Sequence, residues 1–121
     1  MNVMYSAELL DHFEHPRNAG EVADANAHAE ISNPACGDVV RLTARIVEGR
    51  VAAIGFRAKG CVPAMACASA LTELVLGRDA GELRRLSRAD VERKVGGLPE
   101  ASGHASALAI DALRALLGSS R

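Results

Sequence analysis

Three places in the chain set a metal-type side chain beside a break in regular structure. Asn33-Pro34-Ala35-Cys36-Gly37-Asp38 carries a thiol and a carboxylate two residues apart. In an extended segment such residues point the same way, so Cys36 and Asp38 can face one point. Gly37 between them lets the backbone turn and a bulky group approach. Lys59-Gly60-Cys61 places a second thiol where a strand gives way to a helix, and the positive end of the helix dipole there favours thiolate over thiol. Ser102-Gly103-His104 puts an imidazole at the start of the last helix. If the three termini converge, Cys36, Asp38, Cys61 and His104 make four ligands of metal-binding type.

Each residue taken alone also has an ordinary use. A single cysteine is often a small buried hydrophobe, Asp38 suits a turn, and His104 suits a helix cap or the surface. No C-x-x-C or H-x-x-x-H spacing is present. Cys67 lies six residues after Cys61, about 240° further round a helix. That sets it beside Ala64 and Ala68, a core position. Nothing in the sequence around His12, His15 or His28 suggests a site. Cys61 with His104 resembles a thiol–imidazole pair, but no oxyanion-hole motif or substrate pocket accompanies it, so the chain reads as a non-enzyme.

The elements that must position these residues follow from period and punctuation. Ser6 caps a first helix running to about Glu14, and His15-Pro16 stops it. One short strand fits near Ala27 to Ser32. From Val39 to Val47 the pattern alternates, with Val40, Leu42, Ala44 and Ile46 on one face. Glu48-Gly49-Arg50 makes a turn, and Val51 to Lys59 alternates again, with Ala52, Ile54, Phe56 and Ala58 expected inward. Two period-two runs around a glycine turn predict a β-hairpin over about 39–59 with one buried face. After Gly60, Ala64, Ala68, Leu71 and Val75 stand at helical spacing, and Gly77 ends that helix. A further helix is expected over Gly81 to Leu86. Ser87-Arg88-Ala89-Asp90 resembles a capping box opening another, which runs to Val95. The last helix, about Gly103 to Leu117, carries Ala105, Leu108, Ala109, Ala112, Leu113 and Leu116 along one stripe. The expected class is α+β: a small antiparallel sheet of three strands with four to five helices packed against it.

The chain has 121 residues, which bounds it to a single domain, 1–121. Fourteen basic residues against fifteen acidic ones argue against nucleic acid or anionic lipid as the main partner. One Tyr, two Phe and no Trp leave almost no ring to stack on a base. Three cysteines, an odd number, do not suggest a disulfide framework. The N-terminus turns acidic at Glu8 before an apolar signal region forms. The most apolar stretch, Cys61 to Leu71, is broken by Pro63 and Ser69 and is too short to span a bilayer. The expectation is a cytoplasmic protein with reduced thiols and no membrane partner.

The residues resemble a known family, the IscU/NifU-type scaffold proteins of iron–sulfur cluster assembly. The resemblance runs from Tyr5 to the last helix. It is carried by Tyr5-Ser6, the segment Asp11 to Gly20 (Asp-His-Phe-Glu-His-Pro-Arg-Asn-Ala-Gly), Asn33 to Asp38, Lys59-Gly60-Cys61, Leu71-Thr72-Glu73 and Gly103-His104. The short spacing between Cys61 and His104 resembles the IscU branch rather than the SufU branch. The resemblance implies an IscU-like α+β fold with a site at one end made by Cys36, Asp38, Cys61 and His104. It implies that this site takes ferrous iron and sulfur from a cysteine desulfurase, forms a transient [2Fe-2S] cluster and passes it to apo acceptor proteins. Such sites also take zinc. A carboxylate among the ligands suits a carrier, because oxygen matches cluster iron less well than sulfur and so eases release.

Two departures from the family pattern stand out. The family's third cysteine, directly after the histidine and usually assigned as sulfur acceptor, is Ala105 here. The Leu-Pro-Pro-Val-Lys chaperone-docking segment reads Leu98-Pro99-Glu100-Ala101-Ser102, which speaks against recognition by the Hsp70-type chaperone partner. The leading expectation is a scaffold or carrier, as a monomer or as a weak homo-dimer sharing a cluster through Cys36 and Cys61 of each chain. The alternatives are a relative binding a single metal ion, zinc foremost, and a docking module that assembles no cluster.

Overall fold

The computed structural model describes residues 4–35 and 37–119. Cys36 therefore lies outside the described residues. The order of elements is α1 (Ala7–Glu14), β1 (Ala27–Asn33), β2 (Asp38–Val47), β3 (Arg50–Lys59), α2 (Val62–Val75), α3 (Ala80–Leu83), α4 (Arg88–Lys94), a 3-10 turn (Glu100–Ser102) and α5 (Gly103–Ser119). The three strands form one antiparallel sheet in the order β1-β2-β3. Helices α2 and α5 cover its inner face, α1 packs on α2, and α4 packs against α5 and α2. This is the expected α+β class.

Local chemistry accounts for most of the boundaries. The Ser6 hydroxyl accepts from the Leu9 amide, capping α1, and donates to the Val95 carbonyl, tying that helix to the end of α4. Ser87 and Asp90 form the capping box that opens α4. Glu48 and Gly49 both take positive φ, 52° and 78°, as a two-residue hairpin turn matched to strand twist requires. Helix α3 is shorter than expected. It begins at an Asp79–Glu82 capping box and closes after one turn.

The hairpin departs from strict alternation at one point. Its register slips between Arg45 and Ile46, because Arg45 pairs with Ala53 while Ile46 pairs with Val51. Ala52 is the extra residue of a β-bulge, and it faces outward. Val51 takes the core position instead, 1% exposed. The bulge corrects the expectation that Ala52 points inward.

Helix α2 is buried on more than the one stripe its spacing suggests. Pro63, Ala64, Ala66, Cys67, Ala68, Ser69, Ala70, Leu71, Thr72 and Val75 are all buried, since the sheet, α1, α4 and α5 surround it. Its small side chains permit that close approach. Its buried hydroxyls serve the N-terminal segment. Ser69 Oγ lies 2.8 Å from His12 Nδ1 and accepts the Arg17 amide at 2.9 Å, and Thr72 Oγ1 accepts from Asn18 Nδ2 at 3.0 Å. His12 is thus buried between Ser69 and Glu73, whose carboxylate is 3.4 Å from Nε2. Burial, assisted by the nearby Arg17 charge, pushes its pKa down despite that carboxylate.

Candidate metal centre

Asp38, the first residue of β2, lies on the core face and is 1% exposed. Cys61 is the N-cap of α2, and His104 is the second residue of α5. Gly60 makes the junction between β3 and α2 possible. Its φ is +129°, and a Cβ there would sit 2.0 Å from Asp38 Oδ1. Only a residue without a side chain lets the carboxylate lie against that backbone.

The polar atoms then close on one another. The Cys61 amide donates to Asp38 Oδ1 at 2.9 Å, and the Cys61 thiol donates to Asp38 Oδ2 at 3.2 Å. His104 Nε2 stands 3.2 Å from Asp38 Oδ2 and 3.6 Å from Cys61 Sγ. Cys61 Sγ also accepts the Ala64 amide at 3.4 Å, which caps the helix. The structure therefore brings together Asp38, Cys61 and His104, three of the four residues singled out from sequence. One donor atom from each lies within 4.8 Å of the others.

The thiol departs from expectation in its proton affinity. Burial pushes the Cys61 pKa up, the Ala64 amide pulls it down, and the Asp38 hydrogen bond and charge push it up again. Burial of the sulfur outweighs the helix-end amide and the Asp38 carboxylate adds to it, so thiol is favoured over thiolate while no cation is present.

Cys67 occupies the core as expected, fully buried, with desolvation pushing its pKa up to about 12. A water-soluble alkylating reagent should therefore label Cys61 in the native protein and reach Cys67 only after denaturation. Mass mapping of labelled peptides checks this, and native labelling of Cys67 would contradict the packing. Ala105 is 1% exposed in the first turn of α5. A cleft of about 200 Å³ opens beside His104, walled by Ile31, Pro34, Leu108 and Asp111.

The pattern that defines the NifU-like N-terminal domain matches residues 4–119. The chain belongs to that family. It is 39% identical over 111 residues to iron-sulfur cluster assembly scaffold protein IscU 1 of Archaeoglobus fulgidus, an alignment covering 92% of this chain and 72% of the relative. The IscU scaffold of Aquifex aeolicus is 35% identical over 115 residues, covering 93% of this chain and 73% of that one. The fold agrees with the NifU-like N-terminal structure from Brucella abortus, at a TM-score of 0.76 and 22% identity, over 94% of this chain and 92% of that one. Membership accounts for the fold and for the markers that carried the resemblance. No helix among the described residues is long and apolar enough to cross a membrane.

Proposed function

We propose that this NifU-family chain is an iron–sulfur scaffold and carrier. It takes up iron and sulfur, holds a transient [2Fe-2S] cluster as cargo and hands it to apoproteins. Its ligands are Cys36, Asp38, Cys61 and His104, with Cys36 assigned from its place two residues before Asp38 in the sequence. The observation that carries the proposal is the convergence of an oxygen, a sulfur and a nitrogen donor from three element ends, one atom of each within 4.8 Å of the others. Bond lengths of about 2.0–2.3 Å at tetrahedral angles put neighbouring ligand atoms about 3.3–3.8 Å apart. The three separations here are 3.2, 3.2 and 3.6 Å. Any two of these donors can serve one iron of the cluster, and the hydrogen bonds hold them close together beforehand.

The donor set fits cargo rather than a permanent group. A thiolate secures iron, whereas Asp38 oxygen is the weaker partner and the natural place for the cluster to come away. A cysteine desulfurase supplies sulfur as persulfide. Because residue 105 is alanine, the outer sulfur passes to the thiolate of Cys36 or Cys61, leaving the desulfurase cysteine as thiolate. Reduction of that sulfur to sulfide takes two electrons from a separate donor. The protein contributes no turnover chemistry of its own, and its partners are the desulfurase and apo acceptor proteins in the cytoplasm. A single zinc ion is the second reading, favoured because the three donors already stand at the spacing of one ion's ligands.

Anaerobic reconstitution with ferrous iron, cysteine and a cysteine desulfurase tests the choice. Visible absorption, iron and acid-labile sulfide should appear together on the unaltered chain and be lost in Cys61→Ser. Cluster formation only in Ala105→Cys would overturn assembly by the natural chain and leave zinc as the reading to pursue.

A further inference from the structure

We propose that Arg88 and Glu92 of α4 are positioning residues that fix His104 toward Asp38 and Cys61, acting through the first turn of α5. The inference rests on the reading of these three residues as metal ligands. His104 lies in the first turn of a helix that follows directly on a 3-10 turn whose own N-cap, Pro99, supplies no side-chain cap. Two residues before Ala105 is Gly103, so the chain entering α5 is intrinsically pliant. Side chains from outside the helix add to its restraint.

Arg88 and Glu92 stand four residues apart on α4 and so share one face. Ser106, two residues beyond His104, is fully buried. Its hydroxyl lies 2.6 Å from Glu92 Oε2 and 3.0 Å from the Gly103 carbonyl. With the hydroxyl proton given to the carboxylate, the oxygen accepts Arg88 Nε at 3.4 Å. Arg88 Nη2 then serves the Gly103 carbonyl at 3.1 Å. The backbone just before His104 is held by Arg88, and the Ser106 side chain two residues after it by Arg88 and Glu92 together. That arrangement fixes the helix start on two sides of the ligand. It also does so from the exposed face of α4, where Arg88 can be replaced without opening the core.

The test is a double-mutant cycle read by cobalt(II) affinity, with the tetrahedral visible bands followed in titration. Arg88→Ala is expected to weaken cobalt binding roughly tenfold when His104 is present, at the lower end for residues that orient a ligand. It should cost nothing further in a His104→Ala background, and Arg88→Lys, which can still reach the Gly103 carbonyl, should recover part of the loss. In the metal-free protein, nuclear Overhauser effects between the His104 ring and Cys61 should weaken in Arg88→Ala and return in Arg88→Lys. An equal loss in both backgrounds, or none in either, would overturn the positioning role while leaving the metal site standing. If His104→Ala alone left cobalt affinity unchanged, the ligand reading would fall and this inference with it.

Discussion

Gly60→Ala is expected to lower stability by about 3 kcal/mol and to pull Asp38 away from Cys61. Two costs combine there. A side chain at a φ of +129° is strained by about 1–3 kcal/mol, and the new Cβ meets Asp38 Oδ1 at 2.0 Å and the Asp38 backbone at 2.9 Å. The carboxylate can rotate away only by giving up the Cys61 amide and thiol. The backbone of Asp38 has no rotamer to escape into, so overpacking adds about 1–3 kcal/mol. Gly97 provides the comparison, since its φ is +99° with nothing within 4 Å of a built Cβ. Denaturant midpoints of the two alanine variants separate strain from collision. A Gly60→Ala loss no larger than that of Gly97→Ala would refute the collision.

Asp38→Asn is expected to speed alkylation of Cys61 roughly tenfold at pH 8 by raising its thiolate fraction. The carboxylate raises the thiol pKa by accepting its proton and by its charge. An amide at the same place can keep the Cys61 backbone bond through its oxygen and turn its NH2 toward sulfur, donating to the thiolate. The folded-state pKa therefore falls toward the working pH, and the thiolate fraction below that pKa rises. A Cys36→Ser background lets Cys61 be followed alone, since Cys67 is sealed in the core. An unchanged rate would mean that burial by itself sets the reactivity of this thiol. The same substitution tests the sign assigned to the site, because a dipole-dominated Cys61 would be reactive already.

The two errors about the site and the hairpin share a cause. Reading Cys61 as a thiolate used its own helix alone, whereas burial by the surrounding elements outweighs the helix end, and Asp38, 23 positions earlier in the chain and 3.2 Å away, adds to it. Alternation placed Ala52 inward because strand period is local, whereas the bulge is a property of the pair Arg45/Ile46 against Ala53/Val51. Signals confined to neighbouring residues were legible: Ser6, the Ser87–Asp90 box, the Glu48-Gly49 turn and the stop at Gly77. Spacing could suggest that three element ends meet but contained no distance. His12 is the instructive omission. Its partners Ser69 and Glu73 sit at i and i+4 on the face of α2 that the single apolar stripe did not account for. Two polar residues breaking a buried helix were the available sign that something docks there.

The sulfur of Cys61 caps the start of a helix as well as standing among the proposed ligands. An atom with both duties has somewhere to go when cargo leaves. In the proposed reading, as iron departs the sulfur takes a proton from water, donates it to the Asp38 carboxylate and keeps the Ala64 amide. Hand-over then exchanges bonds to metal for a proton and for hydrogen bonds within the protein, and the helix end stays capped. A scaffold arranged like this is at rest when empty, which is the condition a delivery vessel returns to after every trip.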